Sequence, residues 1–196
     1  MIELEKSKLR QIFKQKRLAL TPEEVAEKSQ EICQNFISNL LPKIYQKNLT
    51  FSLYLASSNE ASSAALAKFF QENQIDFSYP KILQKNQPLE FILATKGSRF
   101  AANKFYPQLL EPIDGEKVLP DFLILPLLAF DADLSRLGMG GGFFDRSIAQ
   151  LKIAKLQIIT IGLAYEFQRA RETLPTENTD QKLDFIVTEK NIFARS

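Results

Sequence analysis

Residues 121–146, DFLILPLLAFDADLSRLGMGGGFFDR, decide how this chain folds. The run Phe122–Leu128, broken by Pro126, has the length and apolar content of a buried strand. Four of the chain's seven glycines, Gly138, Gly140, Gly141 and Gly142, then fall within five positions, which is more than one turn needs. Phe143, Phe144, Ile148 and Leu151 follow at helical spacing, so the segment reads strand, long polar loop, glycine turn, helix. Backbone without Cβ atoms curls so that successive N–H groups converge, and the helix start behind it adds partial positive charge. Such a turn suits a phosphate, although glycines also simply permit a tight strand-to-helix connection.

Two neighbours favour the anion reading. Arg136 stands two residues before the first glycine and can clamp oxygens in a bidentate manner, while Asp145 in the first turn of the helix can hold the magnesium that accompanies a nucleotide. The bland alternatives are a surface arginine and a helix-dipole acid. The familiar phosphate signatures fail: no Gly-Lys pair exists for a P-loop, and Gly138-x-Gly140-x-x puts Phe143 where a dinucleotide fingerprint needs its third glycine. No acid lies between Asp145 and Glu166 to take a ribose, so a plain NAD enzyme is not expected.

The rest of the composition narrows the chemistry. With 196 residues, 45% of them hydrophobic, the chain is long enough to bury a sizeable core as one domain spanning 1–196. A net charge of +2 is too mild to call for a nucleic-acid partner. The single cysteine, Cys33, allows no intrachain disulfide and falls in a helical core pattern. There is no histidine, which removes Ser-His-Asp and Cys-His catalysis and histidine-ligated metals. No membrane span or signal peptide is legible, and a cytoplasmic monomer without a membrane partner is the expectation.

Along the chain, residues 3–20 predict a helix with Leu9, Ile12, Phe13 and Leu20 on its buried face. Lys6, Arg10 and Arg17 fall within about 40° of one another on another face, which is usually solvated surface. Thr21-Pro22-Glu23-Glu24 carries a capping box for a second helix with Val25, Ile32, Phe36 and Leu40 inward. A strand over 50–56 ends in Ser57-Ser58-Asn59-Glu60, before a helix over about 62–73. Strands are predicted over 75–79, 89–94, 158–164 and 183–188, whereas 95–116 has no clear period. The alternation predicts an α/β fold: a three-layer sandwich with a mainly parallel sheet.

Pro126, Ala129, Phe130 and Asp131, followed by Arg136-Leu137-Gly138, Gly140, Gly142, Phe143, Phe144 and Asp145, resemble the signature of the 5-formyltetrahydrofolate cyclo-ligases, also called 5,10-methenyltetrahydrofolate synthetases. The family usually has tyrosines where this chain has Phe143 and Phe144. The resemblance runs from Lys6 to about Thr188 and implies an ATP-dependent, magnesium-assisted cyclisation of 5-formyltetrahydrofolate to 5,10-methenyltetrahydrofolate, with ADP and phosphate as the other products. It implies Lys6 and Arg136 as catalytic residues. ATP would be bound by Lys6, Arg10 and the stretch Arg136, Leu137, Gly138, Met139, Gly140, Gly141, Gly142, Phe143 and Phe144, with Arg17 a less firm addition. The folate would meet Leu55, Glu60 and the same turn from Met139 to Phe143. Magnesium would be held by Asp145 and Asp180; only the family pattern separates Asp180 from Asp184. The rival readings are an α/β enzyme that uses the turn for a substrate phosphate without ATP, such as a sugar-phosphate isomerase or a CoA-transferase-like protein, and a non-catalytic module binding nucleotide or RNA through its basic first helix.

Overall fold

The computed structural model describes residues 2–155 and 157–195. Its first helix, α1, spans Ile2–Leu18, and α2 spans Pro22–Asn35. The chain continues through a wide π turn, Phe36–Leu40, into a short α3, Leu41–Ile44. Then come β1 (Phe51–Ser52), α4 (Ala64–Glu72), β2 (Phe77–Lys81), β3 (Glu90–Leu93), β4 (Phe100–Ala102), β5 (Leu110–Pro112) and β6 (Phe122–Pro126). The last third holds β7 (Ala129–Phe130), β8 (Arg136–Leu137), α5 (Phe143–Ala154), β9 (Ile159–Leu163), β10 (Phe185–Val187) and β11 (Ile192–Ala194).

Seven strands form one sheet in the order β11-β10-β9-β6-β1-β2-β3, parallel throughout its centre and closed at each edge by an antiparallel strand. The central strands are apolar end to end because both faces are covered. In β6, Phe122 and Ile124 join a core under α2 and α4, while Leu123 and Leu125 pack on the other side with Ile148 and Leu151 of α5. That alternation is the strand period of two, read on a strand buried twice. The three layers and the mainly parallel sheet are those the sequence predicts.

Aromatic packing dominates the first core. Phe51 stacks on Phe122 with ring centroids 4.4 Å apart and lies 4.6 Å from Phe70. Both Phe51 and Phe70 are fully buried, so each contributes about 1.5–3 kcal/mol by leaving water, and Phe51→Ala would cost about 3–5 kcal/mol. The capping box of α2 is present, with Glu24 N–H donating to Thr21 Oγ1 and Thr21 N–H to Glu24 Oε2.

Several expectations are corrected. The strand over 50–56 keeps ladder partners only at Phe51–Ser52; Leu53 N–H still donates to Ser78 O before the chain leaves the sheet. The long polar loop after β6 is a buried hairpin in which Ala129–Phe130 pairs with Arg136–Leu137. Asp131, only 2% exposed, makes its turn by accepting from the N–H groups of Asp133 and Ser135, and its other oxygen accepts from Leu174 N–H. The segment without period holds the β4–β5 hairpin, where Glu111 accepts from Ile82 N–H and Asn103 Nδ2. The strand predicted last is followed by an antiparallel one, β11.

The largest correction concerns α1. Phe13 is buried against Leu128, Leu137 and Leu174, but Ile12 is 47% exposed, and the other residues the helix turns inward are Lys6 and Arg17. Leu9, Phe13 and Leu20 of the predicted inward face do pack, and Lys6 and Arg17, from the stripe predicted to be solvated, are buried beside them. The surface beneath supplies acidic partners, Glu177 and Asp180 for Lys6 and Glu60 for Arg17, which is what a charge needs if it is to be buried.

Candidate active site

The glycine turn has the backbone that its letters suggested. Gly140 has φ +94° and Gly142, which starts α5, has φ +63°, both in the left-handed region that favours glycine. Among the described residues, no hydrogen bond to another backbone group is donated by the amides from Gly140 to Phe144. Arg146 steadies the turn from within the helix: its Nη2 donates to Gly141 O at 2.7 Å and its guanidinium lies over the Phe143 ring. Phe143 also meets Tyr106 edge to face at 5.7 Å.

Three cations bond to this turn or to the acids that follow it. Arg10 Nε donates to Gly138 O at 3.1 Å, and an added Cβ on Gly140 would stand 3.3 Å from its guanidinium carbon. Arg136, with a side chain 4% exposed, donates through Nη1 to Asp145 Oδ1 at 2.8 Å and to Gln181 O at 2.9 Å. Lys6 Nζ donates to Asp180 Oδ2 at 2.6 Å and to Glu177 Oε2 at 2.8 Å. Burial pulls the Lys6 ammonium toward a lower pKa, but the hydrogen bonds and charges of Asp180 and Glu177 more than offset it, and the net shift is upward.

Asp145 and Asp180 are brought to one place. Asp145 Oδ1 accepts from the N–H of Gln181, the residue after Asp180, and Asp180 itself accepts from Glu177 N–H at 2.7 Å. Between Arg136 and the segment carrying Glu177 and Asp180 lies a cleft of about 170 Å³. Asp184 is spent elsewhere: it accepts from the N–H and Oγ1 of Thr160 and from Arg195. Among the described residues no group of three acidic, histidine or cysteine side chains forms a metal cage. Two carboxylates beside a phosphate-sized turn nonetheless suit a magnesium that arrives on a nucleotide, since that ion takes one or two carboxylates and fills the rest of its octahedron with phosphate oxygens and water.

On the other side of the turn, Glu60 is 8% exposed and accepts from Ser57 N–H at 3.0 Å. Burial pushes its carboxyl pKa up, against the opposing pull of Arg17, whose Nη1 lies 3.5 Å away. Arg17 also reaches Met139 of the glycine turn, with Nη2 3.9 Å from the sulfur. Leu55 is half-buried and packs against the first core. The expected site residues therefore fall into two linked groups, one around Lys6, Arg136, Asp145 and Asp180, the other around Glu60. Two members were not singled out in the sequence as site residues: Glu177, which shares Lys6, and Gln181, which joins Arg136 to Asp145. Their only sequence signal was a place in the turn that carries Asp180.

The sequence and the overall fold match known proteins. The sequence profile of the 5-formyltetrahydrofolate cyclo-ligase family matches residues 2–189. The 5-formyltetrahydrofolate cyclo-ligase of Mycoplasma pneumoniae is 30% identical over 188 residues, covering 95% of this chain and 100% of that protein. That of Haemophilus influenzae is 32% identical over 174 residues, 85% of this chain and 88% of that one. The NMR structure of Aquifex aeolicus 5,10-methenyltetrahydrofolate synthetase superposes with a TM-score of 0.80 at 29% identity, over 96% of this chain and 92% of that one. With a family profile matched over residues 2–189, a relative 30% identical along its full length and the same fold, the chain belongs to the 5-formyltetrahydrofolate cyclo-ligase family.

Proposed function

We propose that this protein converts 5-formyltetrahydrofolate and ATP to 5,10-methenyltetrahydrofolate, ADP and phosphate. The observation that carries the proposal is the glycine turn at the start of α5, whose amides have no backbone partner among the described residues, with Arg10 on Gly138 O and with Arg136 and Lys6 on Asp145 and Asp180. A formamide carbonyl is a poor electrophile and its oxygen a poor leaving group, and one phosphorylation cures both. The formyl oxygen takes the γ-phosphoryl group of ATP and ADP is released. N10 then bonds to the formyl carbon, the carbon–oxygen bond breaks with departure of phosphate, and N10 gives up its proton. Phosphoryl transfer asks a protein for positioning and charge neutralisation more than for acid–base chemistry, which a site without histidine can provide.

In this reading the amides from Gly140 to Phe144 cradle phosphate oxygens, and Arg10 and Arg136 hold them from either side. Lys6 leaves its acidic partners for the transferring group, as its flexible stem allows. Asp145 and Asp180 would hold magnesium, which when bound draws charge from the β- and γ-phosphate oxygens. Glu60 and Leu55 contact the folate. The test is absorbance of the methenyl product in the near ultraviolet, with purified protein, 5-formyltetrahydrofolate, Mg²⁺ and ATP. Product should form only with nucleotide and divalent ion both present, and turnover without ATP would exclude a ligase.

A further inference from the structure

Arg17 is the most deeply buried charged residue of α1, at 1% exposure, yet its guanidinium is thinly bonded. Nη1 reaches Glu60 at 3.5 Å, Nη2 reaches a thioether sulfur at 3.9 Å, and Nε has no partner among the described residues. A buried cation with donors to spare is a poor stability device, because the desolvation penalty is repaid only by full hydrogen bonding. The turn that carries its partner is also costly. Ser58 and Asn59 both have left-handed backbones, with φ of 50° and 58°, and neither is glycine.

That turn is pinned from several sides. Asn59 Nδ2 donates to the carbonyls of Arg17 and Leu20 at the end of α1, and the hydroxyls of Tyr165 and Tyr54 donate to Asn59 O and Ala61 O. Strain held in place by this many contacts marks a position fixed for use. The groups facing Glu60 are Arg17 from α1, Ser57 from its own turn, and the Tyr54 and Tyr165 hydroxyls from the sheet side, with Cys33 acting on Tyr54 and Glu189 on Tyr165. Of these, Arg17 is the cation.

We infer that Arg17 is a positioning residue: it keeps the buried Glu60 carboxylate ionised and, through Met139, fixes the separation of that carboxylate from the glycine turn. The inference rests on the reading of Glu60 as a folate contact. An ionised carboxylate only accepts, so it can take the N–H donors that fringe a reduced pterin, whereas a protonated one competes with them as a donor. Burial alone drives Glu60 toward the protonated form, and the nearby guanidinium opposes it.

The experiment follows the Glu60 carboxyl by carbon-13 NMR in protein labelled at glutamate, the signal being assigned by its loss in Glu60→Gln. In Arg17→Met the titration midpoint should rise by at least about one pH unit, the effect expected when an opposite charge within hydrogen-bonding range is removed. In kinetics the same variant should raise KM for 5-formyltetrahydrofolate about tenfold or more at neutral pH and recover part of that loss at higher pH. KM for ATP should stay within about threefold, and Arg17→Met with Glu60→Gln should show no pH-dependent recovery. A purely structural arginine would lower the melting temperature and leave the midpoint and the KM split unmoved, which overturns the inference. Should Arg17→Met not fold, Arg17→Gln replaces it. Wild-type protein bears on the point alone, since a protonated Glu60 signal at pH 7.5 is also fatal. If wild type fails to turn over 5-formyltetrahydrofolate, the folate reading falls, while the NMR titration still decides whether Arg17 governs Glu60.

Discussion

Lys6 and Asp180 are 174 residues apart in the chain and 2.6 Å apart in space, with Glu177 a second acceptor at 2.8 Å. The contact ties the first helix to the turn before β10 and gives Lys6 a raised pKa despite its burial. A group whose folded-state pKa lies above its unfolded value stabilises fully below the unfolded value and loses that contribution as pH rises through the folded one. Lys6→Met should therefore cost about 1 kcal/mol at pH 7, a figure kept small because Glu177 is 48% exposed and screened. In urea unfolding, the gap between wild type and Lys6→Met should close as pH climbs beyond the ordinary lysine range. A gap independent of pH would show that Lys6 contributes packing only.

Gly140 faces Arg10. Its φ of +94° is one that side-chain-bearing residues rarely adopt, and its missing Cβ leaves room for the guanidinium. Gly140→Val should fold, with a normal circular dichroism spectrum and a loss of about 1–3 kcal/mol, but bind ATP at least about tenfold more weakly by calorimetry. At Gly138 no atom lies within 4 Å of an added Cβ, so Gly138→Ala should lose less than Gly140→Ala. Unchanged ATP affinity in a folded Gly140→Val would remove the turn from the nucleotide site.

The sheet was legible because doubly buried strands such as Phe122–Pro126 have no competing reading, and the glycine turn because four glycines in five residues have few. The basic stripe of α1 was misread for a physical reason. Periodicity locates an amphipathic face but assumes that the buried face is the apolar one, and here Lys6 and Arg17 are buried by partners 43 to 174 residues away. The same limit hid Glu177 and Gln181, whose roles exist only once Lys6 and Arg136 arrive beside them. Asp131, one of the residues that carry the family resemblance, builds the turn of the β7–β8 hairpin.

The phenylalanines at 143 and 144 support a sharper statement than composition did. Phe143 is held by edge contact with Tyr106 and by the Arg146 guanidinium, so its place in the turn depends on the ring. Phe144→Tyr should change kcat by less than about tenfold, or roughly 1.4 kcal/mol. A larger gain would mean that a hydroxyl is missing from the working site.

Asp145 and Asp180 allow the magnesium reading to be tested one ligand at a time. Asparagine retains an acceptor oxygen for the N–H groups of Gln181 and Glu177, so the turn around each position is kept while the charge is lost. The two substitutions should differ in stability. Asp145 is the carboxylate paired with an Arg136 side chain that is 4% exposed, and uncovering that buried charge should cost about 1–3 kcal/mol. Lys6 keeps Glu177 when Asp180 is neutralised, so Asp180→Asn should melt closer to wild type. If both carboxylates hold magnesium, each variant needs several-fold more Mg²⁺ for half-maximal rate, whatever its melting temperature. Glu177→Gln is the control: it removes an acid of the same cleft and the same lysine without removing a proposed ligand, and its magnesium dependence should match wild type. A shift as large in Glu177→Gln as in Asp180→Asn would assign the effect to Lys6 and the net charge of the cleft instead, and an unshifted Asp145→Asn would leave Asp145 as the partner of Arg136 alone.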